Sequence, residues 1–253
     1  MSDLVDQFSP RIDAIETQWS MIRRAHHGSK FSSGEAKNSL VMRYLPAIRG
    51  YVGALTRDDA EADELSQEAV VRILKGDFSG ADPERGRFRD LLKISVRNMV
   101  RNHWAKQNRC KTSDMDQIYA DELGQDDELN DPWLDSWRVN LLEIAWAALK
   151  DYQDRRTGRV TYTILKLRSE FPDVDSPTLA AKLSEEVGVE FRADATRQHL
   201  RRARIRFAEF LVEEIAHGLE TAEPGRIQEE LIALGLYNSV KDLLPVKWKQ
   251  PVG

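Results

Sequence analysis

Between Ala62 and Trp104 the chain carries two stretches of helical periodicity whose exposed sides have opposite charge. In the first, Ala62, Leu65, Ala69 and Ile73 recur at spacings of three and four, which predicts a helix with one buried stripe. Asp63, Glu64, Gln67 and Glu68 fall together on the other side, because 63/67 and 64/68 are each one turn apart. In the second stretch Phe88, Leu91, Leu92, Val96, Met99 and Val100 face a core. Lys93, Arg97 and Arg101 form one polar row, and Asn98, Asn102 and Lys106 form the adjacent one. The connection Gly76–Arg87, a loop of about a dozen residues, holds three glycines, Pro83 and a single aromatic residue, Phe78. The acidic side has two readings: a solvated helix start stabilised by the helix dipole, or a face for a basic partner. The basic side is either solvated or suited to nucleic acid, since Arg and Lys pair with phosphate and Asn can bond adenine bidentately.

The charge contrast continues along the chain. From Arg85 to Lys111 nine basic residues face Asp90 alone, whereas Thr112–Ser136 has nine acidic residues and no Lys or Arg. From Arg192 to Arg206 six arginines face Asp194. Two basic blocks around an acidic connector suggest two nucleic-acid contacts and one segment that avoids nucleic acid, although the net charge of −5 argues against a general binder. No periodicity survives from about Asn108 to Pro132, so a polar, acidic linker is expected there.

The remaining segments read as helices. Ile12, Ile15, Trp19 and Ile22 predict a short one, followed by a polar loop from His26 to Gly34. Leu40, Tyr44, Ile48, Tyr51 and Leu55 predict another, with Pro46 inside it. Beyond the linker, Trp137, Leu141, Ile144, Ala145 and Ala148 form one stripe, and Val160, Ile164 and Leu167 a second. Ser176-Pro177 reads as an N-cap with proline at the first helical position, and Gly188 as the C-cap. Asp194 is the expected cap of a long helix to His217 with Leu200, Ala203, Phe207, Phe210 and Leu211 on its apolar side. Its exposed rows are Arg197, Arg201, Arg204 and Gln198, Arg202, Arg206. A glycine turn followed by a basic helix is similar to a helix-turn-helix, with a connection, Gly188–Ala193, longer than the usual three or four residues. Gly218–Gly253 reads either as a terminal packing element or as a tail that docks a partner or covers the DNA surface.

The sequence narrows the functional classes. Cys110 is the only cysteine, so no intrachain disulfide or thiolate cluster can form. No run of 18 apolar residues exists, and MSDLVDQFSP lacks a basic-then-apolar signal pattern, so a cytoplasmic protein without membrane contact is expected. No metalloprotease, phosphate-loop or nucleophile-elbow motif is present, so neither catalysis nor a cofactor or metal is expected.

Two motifs resemble region 2 of bacterial sigma factors of the extracytoplasmic-function (ECF) group, in the form of a long, divergent member. Ala62-Asp63-Glu64-Leu65-Ser66-Gln67-Glu68 is close to the family's Ala-Glu-Asp-Leu-x-Gln-Glu, with two acids in swapped order. Phe88-Arg89-Asp90-Leu91-Leu92 and Ile94-Ser95-Val96-Arg97-Asn98 are close to Phe-Arg-x-Trp-Leu and Ile-Ala-Arg-Asn, with Leu91 at the Trp position. The resemblance covers about Leu40–Lys106 and, more weakly, Trp133–Glu214.

The resemblance implies an all-α fold of two helical domains joined by an acidic flexible linker: a region 2 bundle and a region 4 helix-turn-helix. The implied division is 1–35 N-terminal extension, 36–107 region 2, 108–132 linker, 133–217 region 4 and 218–253 C-terminal extension. It implies a sigma factor that directs promoter-specific initiation by core RNA polymerase. Asp63, Glu64, Gln67 and Glu68 would dock on the β′ clamp helices, and the β flap would be a second polymerase contact. Phe78, Arg87, Arg97, Asn98, Arg101 and Asn102 would hold the opened −10 strand. A flipped base costs a few kcal/mol in lost stacking and pairing, and stacking on Phe78 would return about 1–3 kcal/mol. Thr196, Arg197, Gln198, Arg201 and Arg202 would read the −35 duplex. An anti-sigma factor or a regulatory kinase would be the further partner class. The alternatives are a helix-turn-helix regulator acting alone on duplex DNA, and a purely protein-binding decoy; neither the acidic helix nor the loop is needed by a simple repressor.

Overall fold

The computed structural model describes residues 30–56, 58–78, 87–108, 131–219 and 221–244. Among them the regular structure is helical, without strands: α1 (Lys30–Thr56), α2 (Asp59–Lys75), α3 (Phe88–Asn108), α4 (Pro132–Asp154), α5 (Thr161–Glu170), α6 (Ser176–Val187), α7 (Ala193–Gly218), α8 (Pro224–Ala233) and α9 (Tyr237–Val240). The chain divides into two compact units. Among the described residues, the first comprises those within 30–140 and 217–222, and the second those within 141–216 and 223–244. The expected helix at Ile12–Ile22 and most of the acidic connector lie outside the described residues. The polar loop expected to reach Gly34 gives way to helix at Lys30.

In the first unit α1 supplies Leu40, Tyr44, Ile48 and Tyr51 to the core, as its periodicity predicts. Pro46 sits inside α1 on the exposed side. Helix α2 starts at Asp58, whose carboxylate accepts the Glu61 N–H at 2.8 Å. It ends at Gly76, which adopts φ 91° and donates to the Arg72 and Ile73 carbonyls. That left-handed conformation is open to glycine at little cost, so the helix stops there. Its buried stripe is Ala62, Leu65, Ala69 and Ile73, with Ser66 added; the Ser66 hydroxyl donates to the Ala62 carbonyl, which makes its burial tolerable.

Trp133 and Trp137 belong to this first unit, not to a second domain starting near Trp133. Trp137 stacks on Tyr44 at 5.0 Å between centroids, and Trp133 meets Tyr51 edge-on at 5.4 Å. Asn140 donates to the Arg43 carbonyl at 2.9 Å. The physical cause is aromatic burial: both tryptophans are at most 3% exposed, and each ring carries a large apolar area into that core. The close approach depends on Gly50, where an added Cβ would lie 3.0 Å from the Ser136 Oγ.

In the second unit Val160, Ile164 and Leu167 pack with Leu179, Leu183, Leu200 and Ala203 into one apolar cluster flanked by Phe191. The N-cap of α6 is Asp175, one residue before the expected Ser176. Its carboxylate accepts the Thr178 N–H at 2.9 Å, and Pro177 occupies the first turn. Gly188, at φ 74°, ends α6 as predicted. Asp194 lies inside the first turn of α7, which begins at Ala193. Between the two helices, Ser184 Oγ accepts the Phe191 N–H at 2.8 Å and donates to the Ala180 carbonyl at 2.7 Å. This hydroxyl holds the longer connection against α6. Helices α8 and α9 bury Ile227, Leu231 and Val240, with Leu234, Leu236 and Leu244 between and after them, so this part of the C-terminal segment is a packing element.

Candidate functional site

The acidic face of α2 is present as expected but its carboxylates are not equivalent. Asp63 pairs with Arg49 of α1 at 2.8 Å. Glu68 accepts from Arg72 Nε at 3.1 Å, one turn along α2. Glu64 and Gln67 are exposed, and Glu64 makes no ion pair among the described residues. Exposed pairs such as Asp63–Arg49 contribute little to stability, yet they take up hydrogen-bonding capacity that an incoming basic partner would need. Glu64 therefore offers the most accessible negative charge on this face.

Helix α3 is tied to α2 through Glu61, whose Oε1 accepts Trp104 Nε1 at 2.9 Å and lies 3.2 Å from His103 Nε2. The acidic and basic helices are thereby joined by a polar clasp that sequence periodicity did not show. On α3, Asn98, Arg101 and Asn102 are exposed, while Arg97 and, just ahead of the helix, Arg87 are half-buried and make further contacts within the protein. Lys93, in the basic row by sequence, pairs with Asp131 at 2.8 Å. Asp131 in turn caps α4 by accepting the Trp133 N–H at 3.0 Å. The polar surface left on α3 is Asn98, Arg101, Asn102 and Lys106, with Arg97 at its margin.

Phe78 is not a presented aromatic platform. It is 9% exposed and packs edge-on against Phe88 at 5.9 Å. An aromatic residue just past a glycine cap gains more by closing over the adjacent core than by facing water. Residues 79–86, the rest of the loop expected to hold a flipped base, lie outside the described residues.

On α7, Arg197, Gln198, Arg201, Arg202 and Arg204 are exposed along one side. Arg197, Arg201 and Arg204 have no carboxylate partner among the described residues. Thr196 does not belong with them: it is 1% exposed, and its hydroxyl donates to the Arg192 carbonyl at 2.9 Å. Arg206, in the second row by sequence, turns inward to pair with Glu209, whose side chain is 6% exposed. Burial and then the Arg202 charge hold the His199 imidazole below its ordinary pKa. An uncharged His199 beside a cationic surface leaves the positive charge of this face to the arginines.

Among the described residues no three His, Cys, Asp or Glu side chains come together to hold a metal ion. No helix there is long and apolar enough to cross a membrane. No curated protein and no solved structure matches the chain. Residues 40–110, the segment that contains both charged helices of the first unit, match the family model Sigma-70 region 2, and this match supports a sigma-factor role in promoter recognition and RNA polymerase binding.

Proposed function

We propose that the chain is a sigma factor of the ECF group that holds core RNA polymerase through α2 and promoter DNA through α3 and α7. The observation that carries this reading is the Sigma-70 region 2 match over residues 40–110. That segment presents Glu64 on α2, which has no ion pair among the described residues, and Asn98, Arg101 and Asn102 on α3. Glu64 and Gln67 would meet basic residues of the β′ clamp helices, with Asp63 and Glu68 joining once released from Arg49 and Arg72. Asn98, Arg101 and Asn102, with Arg87 and Arg97 beside them, would hold the opened −10 strand. Arg197, Gln198, Arg201 and Arg202 would contact the −35 duplex, with the second unit acting as region 4. The polymerase supplies the chemistry; the chain supplies docking and sequence choice.

The test is co-purification of the full chain with core polymerase, followed by run-off transcription from genomic fragments. Promoter-dependent transcripts are expected. A Glu64→Lys variant with unchanged circular dichroism should lose core affinity about tenfold, since reversing one charge in a close interfacial pair costs on the order of 1.4 kcal/mol or more. Unchanged core affinity would remove α2 as the docking face, and absence of any polymerase complex would overturn the reading as a whole.

A further inference from the structure

The second unit contains a cavity of about 220 Å³ between α5, α7 and the segment after α4. Its walls include Tyr152, Arg159, Thr161, His199, Arg202 and Arg206. The geometry points to this cavity as a binding site for a phosphate group.

Three features argue for that ligand class. The first is charge. Arg159, Arg202 and Arg206 contribute three positive charges, and Glu209, which also lines the cavity, contributes one negative charge. The lining surplus matches a phosphate monoester, which carries about −1.5 to −2 at neutral pH. The second is preorganisation. Two guanidiniums lie over the Tyr152 ring, Arg159 at 3.9 Å and Arg206 at 4.7 Å from its centroid. Arg159 also donates to the Tyr152 carbonyl at 2.7 Å. Stacking uses the faces of both guanidiniums, and Arg206 is also committed to Glu209, so the fork already oriented for an anion is that of Arg159, through the in-plane donors not bonded to the Tyr152 carbonyl. The third is unmet hydrogen bonding. Thr161 Oγ1 is buried without a partner, which is costly for a hydroxyl. Arg202 makes no hydrogen bond or ion pair among the described residues. The first-turn amides of α5 do not compete for the ligand, because Gln153 Oε1 accepts the Tyr162 and Thr163 N–H groups at 2.9 and 3.1 Å. The site is thus made by side chains, with the neutral His199 as a further donor or acceptor.

The phosphate could arrive on a small monoester or as part of a DNA backbone, and one experiment separates these sources. Inorganic phosphate is titrated into the full chain by calorimetry, with the His199 ring resonances followed in parallel. Saturable binding with a change at His199 is expected, weakened about tenfold in Arg159→Gln and in Thr161→Val, as loss of one charge-assisted or buried bond implies. Thr161→Ser, which keeps the hydroxyl, should restore binding and excludes a folding defect as the cause. Repeating the titration with saturating duplex DNA identifies the source: displacement of phosphate assigns the cavity to the backbone, and undiminished binding assigns it to a small monoester. Absence of saturable binding, or equal binding by wild type, Arg159→Gln and Thr161→Val, would overturn the proposal.

Discussion

Thr196 and Arg201 are five positions apart on one helix, and burial alone separates their roles. The Thr196 hydroxyl is spent on the Arg192 carbonyl inside the protein, while Arg201 is exposed. Thr196→Val should therefore leave duplex affinity unchanged, and Arg201→Ala should weaken it by about 1–3 kcal/mol if the guanidinium bonds a base, less if it meets only phosphate. Footprinting and affinity on one promoter fragment check both. Asp175 makes a prediction about pH. Hydrogen bonds from the Thr178 side chain and then its backbone N–H hold the Asp175 carboxyl below the ordinary range. A depressed carboxyl pKa stabilises the fold above the unfolded value, and that contribution is lost as pH falls through the folded one. Asp175→Ala should lower the thermal midpoint at neutral pH. The difference from wild type should shrink as pH falls below the ordinary carboxylate range, as calorimetric scans across pH would show.

At the scale of elements, helical periodicity and cap residues account for most of what is seen. The buried stripes of α2 and α3 and the apolar cluster of α5, α6 and α7 follow from spacings of three and four. Two kinds of feature were not legible. Caps shifted by a residue, as at Asp175, because Ser and Asp side chains both serve as caps and adjacent candidates compete. Long-range partners were invisible: nothing in local spacing shows that Trp137 stacks on Tyr44, that Glu61 clasps Trp104, or that Phe78 closes over Phe88. The acidic and basic faces were legible, but which of their charges are already paired was not. Because Phe78 is a core residue, Phe78→Ala should cost about 3 kcal/mol, the low end for a buried phenylalanine. A variant as stable as wild type by denaturant unfolding would refute that packing role.

Across the whole molecule, a net charge of −5 coexists with strongly basic surfaces on α3 and α7. Charge on this chain is sorted into segments, so long-range attraction of the full chain to DNA is weak while local contacts remain strong. Duplex binding by the full chain should therefore fall steeply with salt from a modest starting affinity. Replacing Arg197, Arg201 and Arg204 with Gln should reduce the slope of log K against log salt by about 0.9 for each phosphate that is no longer neutralised. A slope identical to wild type would mean that these arginines do not pair with the DNA backbone.

The Ser184 hydroxyl, bonded to both the Ala180 carbonyl and the Phe191 N–H, has a kinetic consequence. The Phe191 amide is protected by a side chain, so its hydrogen exchange reports opening of the turn ahead of α7 separately from unfolding of either helix. In Ser184→Ala that one amide should exchange markedly faster while those in the middle of α6 and α7 keep their rates. The segment that sets the entry of the basic helix would then have a measurable opening rate of its own.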